Sequence, residues 1–316
     1  MAQNRSEAWH EPVMADQVVR LLVTAPDGAY LDLTAGDGGH LFWMAQATTS
    51  TARLYGVDVD AAAVKRAKRR LDKEQAVRDV VHASYAHIDQ IVTRWPDQRF
   101  TGVLLDLGLS SLQLDQAERG FSHRFDGPLD MRFSQDAPGP TAADLINTLE
   151  VKRLAEMFRE FGEEKQAARL AKAIVRERQD GMILTTRHFA DIITRVVKPP
   201  HQAKSLARIF QALRIAVNKE LDHIDIVLPK ALALLQPGGR LAVISYHSLE
   251  DRRVKRFFQQ EAKGCICPPR QPVCTCGRKP TLSLVTRKPV EATEQEIQAN
   301  SRARSARLRV AERRTA

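Results

Sequence analysis

The sequence predicts an α/β fold, a doubly wound Rossmann-like sheet with an all-helical domain inserted into it. Three observations lead there. Residues 30–40 read YLDLTAGDGGH, a short strand, a glycine turn and the start of a helix. Strand-like apolar runs near 30–33, 54–59, 79–85 and 100–108 alternate with helical stretches, the pattern of a parallel sheet with crossover helices. Helical periodicity then runs unbroken from 141 to about 215, before RLAVISY at 240–246 resumes the sheet. The expected division is therefore 1–111 with 216–316 for a discontinuous α/β domain, and 112–215 for the insert.

Taken in order, the chain begins with an amphipathic stretch to Leu22, with Pro12 expected in its first helical turn and Met14, Val18, Leu21 and Leu22 on one face. The glycine turn follows. Missing Cβ atoms let backbone approach a nucleotide-like ligand, and the next helix turns its N-terminus to the same place. The second strand, LYGVDV, ends in Asp58, about 20 positions beyond the glycines, where a carboxylate can accept both ribose hydroxyls. A nicotinamide dinucleotide site calls for G-x-G-x-x-G, and Leu41 stands where the third glycine belongs. An S-adenosylmethionine site calls for an acidic residue on the first strand, here Asp32, and a looser glycine pair. A plain strand-to-helix turn is the third reading. Residues 61–74 suit a charged helix, and DVVHASY at 79–85 suits a third strand with Tyr85 at its end, against an adenine ring or as an ordinary boundary aromatic. The fourth strand, 100–108, ends in Asp106. Asp32, Asp58, Tyr85 and Asp106 thus converge on the carboxyl rim of one sheet, where ligands of such folds collect.

From 110 to 133 the chain is polar, with Asp126, Asp130, Arg124 and Arg132 around a Gly127-Pro128 turn, a functional loop, a linker into the insert, or both. In the insert, Leu154, Met157, Phe158 and Phe161 share one helical face. Leu170, Ala171, Ile174 and Val175 share another, edged by Arg169, Lys172, Arg176 and Arg178. A third helix, with Phe189, Ile192, Ile193 and Val196, is stopped by Pro199-Pro200. Beyond a helix at 221–235, Pro237-Gly238-Gly239 is expected to turn the chain into the strand 240–246. His247 falls just past that strand's end, a structural or a substrate-facing position. Ser248 and Asp251 have capping-box spacing and are expected to open the next helix. The four cysteines, Cys265, Cys267, Cys274 and Cys276, form two C-x-C pairs in one short segment. In a reducing compartment this favours metal over disulfides, but the spacing is not the usual C-x₂-C. Structural zinc and four reduced thiols both remain open, and no residue is assigned as a metal ligand. Residues 281–286 suit a final strand. The arginine-rich tail, SRARSARLRVAERR at 301–314, is expected to be a solvated terminus, a clamp on phosphates, or a helix docked on the sheet.

The formal net charge is +10 and the pI about 9.7, a surplus that suits a polyanionic partner. No run is long and apolar enough to span a membrane, and MAQNRSEAWHEP lacks a signal-peptide core, which predicts a cytoplasmic protein.

DLGLSSLQLDQAERGFSHRFDGPLDMR at 106–132 resembles the signature of the bacterial small-subunit ribosomal RNA cytidine N4-methyltransferases. So do FQALRIAVNKEL at 210–221, PGGRLAVISYHSLEDRRVK at 237–255 and RARSARLR near the end. The resemblance spans nearly the whole chain and departs at Leu112, His123 and Ser301, but does not extend to the cysteine loop. It implies a class I methyltransferase sheet, S-adenosylmethionine as donor, and a helical insert that recognises substrate. The implied acceptor is a cytidine in the decoding region of 16S ribosomal RNA in the 30S subunit. It also implies Gly38, Gly39, His40, Asp58, Tyr85, Asp106 and Gln113 as cofactor contacts. Asp106, at the strand end where an amine-contacting group belongs, is the first catalytic candidate, with Asp130 and His247 in reserve. Phe121 and Phe125 are the local aromatics that could stack an unstacked base. The alternatives are a nicotinamide oxidoreductase, for which no hydride-handling site is visible, and a non-catalytic ribosome-assembly factor, which leaves the acidic rim without a purpose.

Overall fold

The structure, a computed structural model, describes residues 11–97, 99–265, 267–268, 271, 273 and 275–315. It divides into two compact units, Met1–Gly108 with His223–Ala316, and Leu109–Asp222. The expected boundaries at 111/112 and 215/216 lie three and seven residues from these.

Along the first unit the elements are α1 (Ala15–Leu22), β1 (Ala29–Asp32), α2 (Gly39–Gln46), β2 (Arg53–Asp58), α3 (Ala61–Arg70), β3 (Val77–His82), α4 (Ile88–Ile91) and β4 (Phe100–Asp106). The second unit holds α5 (Ser111–Asp115), α6 (Ala142–Thr148), α7 (Val151–Gly162), α8 (Ala167–Asp180), α9 (Thr186–Val196) and α10 (Gln202–Asn218). After α11 (Glu220–Leu234) come β5 (Leu235–Ser245), α12 (Ser248–Glu261), β6 (Leu282–Leu284), β7 (Val290–Glu291), α13 (Glu294–Ala299) and β8 (Arg307–Arg313).

The strands form one sheet in the order β3-β2-β1-β4-β5-β8-β6, with β7 also on β8. β1 to β5 are mutually parallel, and β8 runs antiparallel to β5. Central strands are near-continuous apolar runs because both faces are covered; all four residues of β1 are buried. One face packs Val18 and Leu22 of α1, Leu41 and Met44 of α2, and Val64 and Ala67 of α3. They lie against Tyr30, Leu54, Val80, Leu104, Ile244, Leu308 and Val310. The second unit has its own core, with Phe158, Leu170, Ile174, Phe189, Phe210 and Leu213 facing one another from α7 to α10.

Several local expectations are corrected. Pro12 precedes α1 rather than sitting in its first turn; Met14, in the left-handed region at φ 56°, is the N-cap. β3 ends at His82, so Tyr85 lies in a 3₁₀ turn capped by the Ser84 hydroxyl. The Pro237-Gly238-Gly239 segment is an irregular part of β5 rather than a turn before it, with pairing to β4 shifting register between Phe100 and Gly102. The N-cap of α12 is His247, not Ser248: the Glu250 carboxylate, three residues on, accepts from the His247 amide at 3.2 Å. Residues 117–133 fold back tightly instead of forming a linker. The Met131 amide bonds the Arg119 carbonyl at 3.0 Å, and a Cβ at Gly127 would collide with the Ala117 carbonyl.

The tail differs most. Its last part is β8, hydrogen-bonded between β5 and β6, with Leu308 and Val310 fully buried. The Arg309 guanidinium forms a two-point bond with Asp251, Nε to Oδ1 at 2.6 Å and Nη2 to Oδ2 at 3.0 Å. Arg313 donates to the carbonyls of Leu232, Ala233 and Leu235. Half of the arginines that suggested a phosphate clamp therefore lie in a sheet strand.

Candidate cofactor and catalytic site

The chain winds outward from β1 to β3, then returns to β4 and β5 on the other side of β1. The reversal between β1 and β4 is the switch point, where an open α/β sheet leaves a crevice beyond the strands' carboxyl ends. β1, β2 and β4 each end there in an aspartate.

Asp32, closing β1, is wholly buried. Its Oδ1 accepts from the Thr34 amide at 3.0 Å and the Thr34 hydroxyl at 3.3 Å, while Oδ2 has no hydrogen-bond partner. Burial pushes this carboxyl up to about 6, against the opposing pull of His40 and the Thr34 amide. An unsatisfied buried carboxylate oxygen is costly unless a ligand donor or cation meets it. The Thr34 hydroxyl also accepts from the Asp106 amide at 2.6 Å, tying the ends of β1 and β4 together.

Asp106, closing β4, accepts from the Tyr246 hydroxyl at Oδ1, 2.8 Å away. The buried His40 imidazole stands on its other side, with Nε2 at 3.4 Å from Oδ2, although neither ring nitrogen makes a well-formed hydrogen bond. Burial works against charging His40, but the Asp106 and Asp32 carboxylates outweigh it and hold its pKa above the ordinary value. Burial, reinforced by the Asp106 charge, raises Tyr246 well above the normal phenol range, so it keeps its proton and donates. Tyr246 was not singled out from sequence. It follows the last residue of β5, one strand over from Asp106 in register with Ile244, so the same strand-end rule reaches it.

Asp58, closing β2, holds the glycine turn. Its Oδ2 accepts from the Gly36 amide at 2.7 Å and its Oδ1 from the Asp60 amide at 2.8 Å. Surrounding protein pushes this carboxyl up to about 6 despite those bonds. Each oxygen keeps a further lone pair, enough for two hydroxyl donors. Gly36, at φ +50°, has nothing beside its Cβ position closer than 3.9 Å. A Cβ at Gly38, itself left-handed at φ +80°, would press on Leu71 at 2.8 Å, and one at Gly39 on Pro12 at 3.1 Å.

Other candidates are placed differently. Tyr85 makes an edge contact with the His223 ring, centroids 6.1 Å apart. His247 faces Glu250 with both ring nitrogens, Nε2 at 3.2 Å from Oε1 and Nδ1 at 3.4 Å from the amide, as a helix cap does. Asp130 and Gln113 belong to the second unit. There Asp130 is bound at two points by Arg132, both at 2.9 Å, which overrides the effect of burial and holds its carboxyl below the usual range. The Gln113 Oε1 accepts from the Ser110 amide at 3.2 Å, closing the capping box of α5. Phe121 is only 6% exposed and tilted against Phe133, so it cannot stack a base, whereas Phe125 is 43% exposed.

This sheet order and acid-lined switch point, with a helical segment inserted in sequence after β4, define a Rossmann-like class I methyltransferase. The chain belongs to the MraW methylase family, matched over residues 7–314. It is 46% identical over 303 residues to the ribosomal RNA small subunit methyltransferase H of Syntrophotalea carbinolica, covering 95% of this chain and 96% of that protein. The proteins of the same name from Caldicellulosiruptor saccharolyticus and Heliobacterium modesticaldum are 42% and 44% identical, each across 96% of this chain and 98% of their own. Among solved structures, an rRNA methylase from Streptococcus thermophilus aligns with a TM-score of 0.41 at 11% identity, over 98% of this chain and all of that one.

Proposed function

We infer that this chain transfers a methyl group from S-adenosylmethionine to the N4 amine of a cytidine in 16S ribosomal RNA, in the decoding region of the small subunit. The observation that carries the reading is the pair of strand-end aspartates: Asp32 with an unpartnered buried oxygen, and Asp106 held between Tyr246 and His40. Leu41, where a dinucleotide fingerprint wants its third glycine, is buried in the core against the Gly56 position of β2.

The cofactor supplies an electrophilic methyl group on a positively charged sulfur. The chain's residues fit it: Asp32 offers a carboxylate to a cationic part, and Asp58 offers acceptors to ribose hydroxyls. The cytosine amine is a poor nucleophile because its lone pair is delocalised into the ring. It must be unstacked, oriented, and relieved of a proton. Asp106 is the proposed acceptor. Tyr246, kept protonated, fixes Oδ1, so the amine proton goes to Oδ2, and His40 beside that oxygen can pass it on.

Asp58→Ala should weaken cofactor binding by about 1–3 kcal/mol, the scale of hydrogen bonds to a charged group. Calorimetry giving unchanged affinity in a folded variant removes Asp58 from the ribose. The raised carboxyl of Asp32 adds a pH dependence. A cationic ligand favours the ionised form, and protons compete with it as pH falls through about 6. Affinity should therefore drop between pH 7 and 5, by up to about tenfold per unit for one linked proton. A flat affinity over that range contradicts the pairing.

The helical unit offers the RNA contacts we propose. Arg169, Lys172 and Arg176 on α8 are exposed, whereas Arg178 is spent on the carbonyls of Ile146 and Leu149. Changing the three exposed residues to glutamine should weaken RNA binding and reduce its log–log salt slope by up to about one per lost phosphate contact. An unaltered slope places the RNA on another face.

A further inference from the structure

The loop between α12 and β6 has no helix or strand among its described residues and no apolar core of its own: Cys265 is exposed, Cys267 and Cys276 half-buried, and Val273 is 70% exposed. Its two ends are closed at one residue. The Glu261 carboxylate takes Arg278 at 2.7 Å and the Thr281 hydroxyl at 2.6 Å, and the Glu261 carbonyl takes the Thr281 amide at 2.9 Å. Loops of this length without their own structure need another constraint to hold a conformation.

The sulfurs provide one. Those of Cys265, Cys267 and Cys276 all lie within 4.8 Å of one another, and the Cys265–Cys276 pair is 3.8 Å apart. Thiolates bound tetrahedrally at a Zn–S distance of about 2.3 Å stand about 3.8 Å from each other, so the spacing is that of co-ligands. Backbone amides also aim at these sulfurs. The Cys267 amide donates to the Cys265 sulfur at 3.4 Å, and the Thr275 and Cys276 amides donate to the Cys267 sulfur. Amide donors stabilise a thiolate, the form that binds metal.

We propose that Cys265, Cys267 and Cys276 bind a structural zinc ion that fastens the loop between α12 and β6. Three thiolates fill three of the four tetrahedral positions; Cys274, the other member of the second C-x-C pair, lies outside the described residues. Soft sulfur ligands select zinc over magnesium or calcium. The ion's role is structural: the loop's two ends meet at Glu261 of α12, and among its described residues the loop contributes none to the strand-end site.

The test is metal analysis of the full-length protein, purified under reducing conditions without chelator or added zinc. About one equivalent of zinc is expected, falling below roughly a tenth of that in Cys265→Ser and in Cys276→Ser. Cobalt offers a second readout on the unaltered chain, should either variant fail to fold: exchange for Co²⁺ should produce the sulfur-to-metal charge-transfer absorption of a tetrahedral thiolate site. Zinc-free protein whose thiols all react at once with a disulfide reagent in the native state overturns the proposal. So does a zinc content that both serine variants leave unchanged, or cobalt protein without the charge-transfer band.

Discussion

Arg309→Ala is expected to destabilise the protein by about 3–5 kcal/mol, the cost of leaving a buried carboxylate without its partner. Arg309 is 8% exposed and Asp251 7%, and the guanidinium meets both carboxylate oxygens. The pair joins β8 to α12 on a strand that is itself flanked on both sides, by β5 and β6. Arg309→Lys should recover only part of the loss, since an ammonium cannot reproduce the two-point bond. Arg304→Ala, on an exposed position, should stay within about 0.5 kcal/mol. A pH signature accompanies the pair. Burial works to raise the Asp251 carboxyl, but Arg309 and Arg307 outweigh it and hold it below its ordinary value. The stabilisation is thus present above about pH 4 and lost as pH falls through the depressed pKa. Denaturant titrations across that range should show a smaller acid loss for Arg309→Ala than for the unaltered protein. If Arg309→Ala unfolds at the same denaturant concentration as Arg304→Ala, the tail is not a structural strand. For the same reason, deleting residues 301–316 does not isolate an RNA contact: it removes β8, exposes the edge of β5 and takes away the strand on which β6 and β7 pair.

Asp106→Asn is expected to lower kcat by about 10²–10⁴, the range for removing a positioned proton acceptor. The amide oxygen can still accept from Tyr246, so geometry is largely kept and cofactor affinity should change by less than about tenfold. Tyr246→Phe removes the bond at 2.8 Å and should give a smaller loss, because the carboxylate survives but is no longer fixed. A loss that falls on cofactor binding, with kcat intact at saturation, makes Asp106 a cofactor ligand and moves the proton's route elsewhere.

The strands and the glycine turn were legible because each repeats a local pattern. Buried runs such as FTGVLLD can only be central strands beside crossover helices, and the aspartates that end them mark the rim. What escaped the sequence depended on partners distant in the chain. Tyr246 gains its role from Asp106, 140 positions away. β8 was hidden by its own composition: Leu308 and Val310 alternate as a strand requires, but the arginines around them read as a solvated run until Asp251 neutralises Arg309. His247 looked like a rim histidine because its capping partner Glu250 is visible only once α12 begins one residue earlier than the Ser248 signature implied. Phe121 looked available for stacking because nothing in a Gly- and Pro-rich stretch announces that it folds back into the helical core.

The most direct test is nucleoside mapping after methyl transfer. Small ribosomal subunits lacking the modification would be incubated with the purified protein and methyl-labelled S-adenosylmethionine, then digested to nucleosides. The expected result is label in N4-methylcytidine from one decoding-region position, appearing at least about a hundredfold more slowly with Asp106→Asn. Label on a cytosine carbon or a ribose hydroxyl, or no transfer by folded protein shown to bind the cofactor, contradicts the assignment of an N4 amine acceptor to this site.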